Sequence, residues 1–100
     1  MGITIEIDKD RIIEFCQKWM IAEFAIFGSA LRDDFHPDSD VDVLTTFLDN
    51  ADWSLYDWMD MIDELEVIFG RNVDLLSSRG LRNPFRKQEI LKTRKVIYAA

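Results

Sequence analysis

The chain has 100 residues, 48% of them hydrophobic, with 12 Lys and Arg against 19 Asp and Glu for a formal charge of −7. A chain of this length buries enough surface for one core and no second, so a single domain over residues 1–100 is expected. One cysteine, Cys16, excludes an internal disulfide and a Cys-rich zinc site, and the most apolar stretch, 20–27, is broken by Glu23 and too short for a bilayer.

The first predicted element is a helix over about 10–20. There Ile12, Ile13, Phe15, Cys16, Trp19 and Met20 recur at helical steps, with Gln17 and Lys18 left for solvent. Cys16 falls on the buried face and reads as a small core side chain. Ala22–Phe27 is a short apolar strand that stops at Gly28, and Ser29 opens a helical turn. Residues 33–39 are turn-like, and 40–47 form a second strand rich in β-branched residues. Ser54, with Asp57 three residues on, caps a helix reaching Gly70, whose apolar stripe is Leu55, Trp58, Met59, Ile62, Leu65, Ile68 and Phe69. Its acids, Asp57, Asp60, Asp63, Glu64 and Glu66, read as a solvated or partner-facing surface. A strand over 73–77, a helix from Asn83-Pro84 to about Lys92, and a strand over 96–98 complete the chain. Strands and helices alternate with short connections, which predicts an α/β (α+β) fold with one sheet and helices packed against it.

The charge is unevenly spread. Residues 1–78 hold 5 basic and 18 acidic side chains, whereas 79–95 hold 7 basic residues (Arg79, Arg82, Arg86, Lys87, Lys92, Arg94, Lys95) and only Glu89. A polyanion would be repelled by most of this surface, so no direct nucleic-acid binding is expected. No secretory leader or membrane span is expected either, and with Glu6 where a myristoylation signal wants Ser or Thr, a reducing cytoplasm is the natural setting. The basic tail reads either as a rim for an anion or as a solvated helix whose cations complement its C-terminal end.

The chemistry is concentrated in Phe27-Gly28-Ser29, ten further residues, and Asp40-Val41-Asp42-Val43. Gly28 allows a positive φ or a close backbone approach, and Ser29 supplies a hydroxyl and an amide where a helix N-terminus would favour phosphate. Asp40 and Asp42, two apart on a strand, project from one face while Val41 and Val43 enter the other. Adjacent carboxylates need a cation, and a few carboxylates plus phosphate oxygens suit Mg²⁺. Asp74, within Val73-Asp74-Leu75-Leu76, is the candidate third carboxylate if its strand lies beside the first pair.

This combination resembles the nucleotidyltransferase superfamily that includes polymerase β. The length, the run Pro37-Asp38-Ser39-Asp40-Val41-Asp42-Val43 and the late Val73-Asp74-Leu75 are similar to its minimal nucleotidyltransferase group, over about residues 10–98. The resemblance implies a palm with a small mixed sheet flanked by helices. It further implies Gly28, Ser29 and Arg32 at the triphosphate of ATP, and Asp40, Asp42 and Asp74 holding two Mg²⁺ ions, with Asp74 also on the attacking side. Group members often read Gly-Ser-Arg-Ala-Arg-Gly, whereas this chain reads Gly28-Ser29-Ala30-Leu31-Arg32-Asp33, which weakens the phosphate contact. His36 lacks a second His or Cys at ligand spacing and reads as a loop residue.

Larger relatives carry a substrate-binding domain, for which no residues remain here, so a partner is expected to present the acceptor. The group resembles the antitoxin half of toxin–antitoxin pairs. That implies a HEPN-type toxin as partner, silenced by transfer of AMP to a tyrosine. The alternatives are a non-catalytic antitoxin that neutralises its partner by binding, and nucleotidyl transfer to a small molecule.

Overall fold

The computed structural model describes residues 7–28, 40–80 and 83–100. In chain order these form α1 (Lys9–Lys18), β1 (Ile21–Phe27), β2 (Val41–Phe47), α2 (Leu55–Phe69), β3 (Val73–Ser77), a 3-10 turn (Ser78–Gly80), α3 (Pro84–Thr93) and β4 (Lys95–Ala99). The expected order and type of elements match this succession. The helical turn at Ser29 and the turn over 33–39 lie outside the described residues.

The strands make one mixed sheet in the order β3-β2-β1-β4. β1 pairs antiparallel with both β2 and β4, and β2 pairs parallel with β3, the connection passing through α2. Side chains alternate between two faces, so each strand serves two layers. On one face Phe24, Ile26, Val41, Val43, Val73 and Leu75 pack against Ile12, Phe15 and Cys16 of α1 and Met61 and Leu65 of α2. On the other, Phe27, Leu44 and Leu76 receive Ile90, the buried residue of α3.

Helix ends follow local chemistry. Asp8 caps α1 by accepting from the Arg11 amide at 3.3 Å. The helix stops at Lys18, two residues short of the expected end, because Met20 takes a left-handed φ of 57° that reverses the chain into β1. That conformation costs a non-glycine residue about 1–2 kcal/mol. Two contacts hold it: the Leu48 amide donates to the Met20 carbonyl at 2.8 Å, and the Trp53 indole donates to the Trp19 carbonyl at 3.0 Å. In α2, Ser54 and Asp57 form a reciprocal capping box, and Gly70 ends the helix at a φ of 70°.

The apolar stripe of α2 is rotated from the expected one. Met61 and Leu65 are the buried residues, whereas Leu55 and Met59, expected inside, are 72% and 54% exposed. The acids of this helix also divide. Glu64 accepts from Lys18 Nζ at 2.8 Å and from Trp19 Nε1 at 3.3 Å, which ties α2 to α1. Glu66 accepts the Val73 amide at 3.2 Å and so anchors the start of β3. Asp60 and Asp63 remain exposed.

Candidate active site

The site forms where β1 ends and β2 and β3 begin. Antiparallel pairing sets Phe27 opposite Asp42, and parallel pairing sets Val41 opposite Val73 and Asp42 opposite Asp74. Neighbouring strands lie about 4.8 Å apart, so the two carboxylates rise side by side from one face. It is the face on which Leu44 and Leu76, two positions further along each strand, meet α3. Asp42 is half-buried and Asp74 exposed. The sequence places an acid between apolar neighbours on both strands because the opposite face must fill the core while this one stays polar.

Gly28 adjoins this pair with a φ of +72°, the positive φ anticipated for it. A Cβ added at Gly28 would overlap the Asp42 Oδ2 atom, so the bare backbone is what lets that carboxylate lie over the end of β1. The position therefore requires glycine twice, for its dihedral angle and for its lack of a side chain.

Asp40 is exposed and stands just before β2, two residues from Asp42. Among the described residues no group of three acids, histidines or cysteines is close enough to share an ion. What the fold brings together is the Asp42–Asp74 pair beside Gly28, with Asp40 next along the chain. Ser29, Ala30, Arg32, Asp33 and His36 lie outside the described residues, as does Arg82 of the basic tail. The donor set fits a hard divalent cation: oxygen ligands only, in adjacent positions, on a face open to phosphate oxygens. A groove of about 350 Å³ between α1 and α2, lined by Arg11, Phe15, Glu64 and Val67 among others, lies on the opposite side of the sheet from this pair.

A nucleotidyltransferase-domain family model matches residues 10–97. The chain belongs to that family. It is an enzyme of the nucleotidyltransferase type. The protein adenylyltransferase MntA of Thermococcus cleftensis is 31% identical over 85 residues, 85% of this chain and 81% of that one. Among solved structures, a crystal structure of a toxin–antitoxin with AMP-PNP superposes with a TM-score of 0.75 at 18% identity, covering 94% of this chain and 75% of that one. A tri-AMPylated HEPN toxin of Shewanella oneidensis in complex with an MNT antitoxin gives 0.65 at 16%, over 92% and 70%. These two likenesses establish that the nucleotidyltransferase shares their fold, the mixed sheet flanked by helices expected of it.

Two residues that shape the site escaped the sequence reading. Glu66 braces the open edge of β3 one residue before Asp74, and only its place in a run of helical acids was visible. Glu23 pairs with Arg94 at 3.0 Å, both largely shielded, pinning the exit of α3 to β1. The signal there was an acid inside an apolar strand, which needs a partner. Arg94 is thereby structural, and Arg79 makes only an exposed pair with Asp49 at 3.7 Å. No described helix is long and apolar enough to cross a membrane.

Proposed function

We propose that this nucleotidyltransferase transfers AMP from ATP, in a Mg²⁺-dependent reaction, to a tyrosine of a HEPN-type toxin and so acts as the antitoxin of a cytoplasmic toxin–antitoxin pair. The single observation that carries the reading is the in-register Asp42–Asp74 pair beside Gly28, in a chain whose relative is named a protein adenylyltransferase. The toxin–antitoxin likenesses support the class of partner.

In this reading Gly28, Ser29 and Arg32 hold the triphosphate, and Asp40, Asp42 and Asp74 hold two Mg²⁺ ions. The acceptor's hydroxyl oxygen forms a bond to the α-phosphorus, the bond to the β-phosphate oxygen breaks, and pyrophosphate leaves. Asp74, the more exposed of the pair, takes the hydroxyl proton. Bound Mg²⁺ would supply charge compensation for the triphosphate and for the departing pyrophosphate. A catalytic unit built as one domain relies on its protein partner to present the acceptor.

The test is incubation with the HEPN protein encoded beside it, Mg²⁺, and ATP labelled on the α- or the γ-phosphate. Label from the α position alone is expected on the partner, and chelation of Mg²⁺ should abolish it. Label from the γ position, or equal transfer by Asp42→Ala, would refute the reading.

A further inference from the structure

The outer face of α2 is apolar where a surface helix is ordinarily polar. At 3.6 residues per turn, Leu55, Tyr56, Met59, Asp60, Asp63 and Val67 share an arc of about 140° opposite the buried Met61 and Leu65. Four of those six are apolar or aromatic, and their exposures are 72% for Leu55, 79% for Tyr56, 54% for Met59 and 68% for Val67. Scattered single apolar residues on a surface need no explanation, but a contiguous stripe along four turns marks a contact surface. The two acids of the arc, Asp60 and Asp63, take part in no tie to α1 or β3 of the kind that occupies Glu64 and Glu66. None of the fifteen residues of α2 is Lys or Arg.

We infer that the outer face of α2 is a docking surface for the partner protein, one whose contact patch is apolar at its centre and carries Lys or Arg at its rim. The inference rests on the reading that this enzyme modifies a protein, and it locates where that protein is held. Charge decides between occupants. A second copy of the chain would set Asp60 and Asp63 against the same acids and against the acidic excess of residues 1–78, whereas a basic rim would be attracted by both. Met59 and Tyr56 supply the adaptable and the aromatic contacts that dominate such interfaces. The surface lies across the sheet from the Asp42–Asp74 face, so holding the partner leaves the carboxylates open to nucleotide.

Calorimetric titration of the full chain with the HEPN protein encoded beside it tests this. Tyr56→Ala with Met59→Ala, and separately Asp60→Lys with Asp63→Lys, should each weaken binding by about tenfold or more, with melting temperatures unchanged. The KM for the partner should rise in step while kcat holds. Affinity within about twofold of wild type for both double variants overturns the inference and, if AMP transfer persists, leaves the proposed activity standing. Failure of the wild-type chain to bind the HEPN protein overturns both. A wild-type dimer that the same substitutions dissociate assigns the face to a second copy and overturns the inference as well.

Discussion

Gly28→Ala offers a sharp separation of stability from catalysis, because Gly70 supplies its own control. Both glycines sit near a φ of +70°, where an alanine is strained by about 1–2 kcal/mol. For a domain of this size that corresponds to a fall in Tm of roughly 4–15 °C for either substitution. The two differ in what the new methyl meets. At Gly70 nothing lies within 4 Å, whereas at Gly28 it overlaps the Asp42 carboxylate, which must move aside. A displacement of about 1 Å at a reacting group costs on the order of a hundredfold in rate. Thermal melts followed by circular dichroism should therefore show similar losses for Gly28→Ala and Gly70→Ala. Transfer of AMP, measured well below both midpoints, should fall about a hundredfold for the first and stay within about twofold of wild type for the second. Equal activity in the two variants would refute the argument that the bare backbone at Gly28 exists to seat Asp42.

Three further outcomes follow from local contacts. Removing the Glu66 carboxylate leaves the Val73 amide on the open sheet edge without its acceptor, so Glu66→Ala should cost about 1–3 kcal/mol in urea unfolding, and Glu66→Gln, which keeps an acceptor oxygen, should recover most of it. Asn83 accepts from the amides of Phe85 and Arg86, so Asn83→Ala should lose about 1 kcal/mol by the same assay. Burial pushes the Cys16 thiol up to about 12. The folded state therefore keeps its proton where the unfolded chain, near 9, has lost it, so this group's contribution to stability is intact below pH 9 and declines as pH rises from 9 toward 12. Unfolding midpoints between pH 8 and 11 should fall for wild type and lose part of that fall in Cys16→Ala; identical pH dependence would contradict it.

The fold was legible wherever one residue's neighbours along the chain determine its state. Ser54 with Asp57, Asn83 with Pro84, and Gly70 announced the ends of α2 and α3, and the alternation around Val41-Asp42-Val43 and Val73-Asp74-Leu75 announced which side chains share a face. That Asp42 and Asp74 are direct cross-strand partners required the strand order and register, which long-range pairing fixes. The facing of α2 was misjudged for a related reason. With Trp58, Met59, Met61 and Ile62 nearly consecutive, the pattern admits two stripes, and packing against β3 and α1 selects the one through Met61 and Leu65. The apolar residues left outside by that choice are those now assigned to partner contact. Arg94 with Glu23, 71 residues apart, is likewise a product of the assembled sheet.

The central claim is that the paired carboxylates transfer a nucleotide to a protein. Intact-mass spectrometry of the HEPN partner after incubation with ATP and Mg²⁺ tests it most directly, comparing wild type with Asp42→Asn and Asp74→Asn. The account predicts one or more AMP additions mapped to a tyrosine with wild type and none with either variant, each of which should remain folded and bound to the partner. An unmodified partner with wild type, or modification that survives both substitutions, would contradict it.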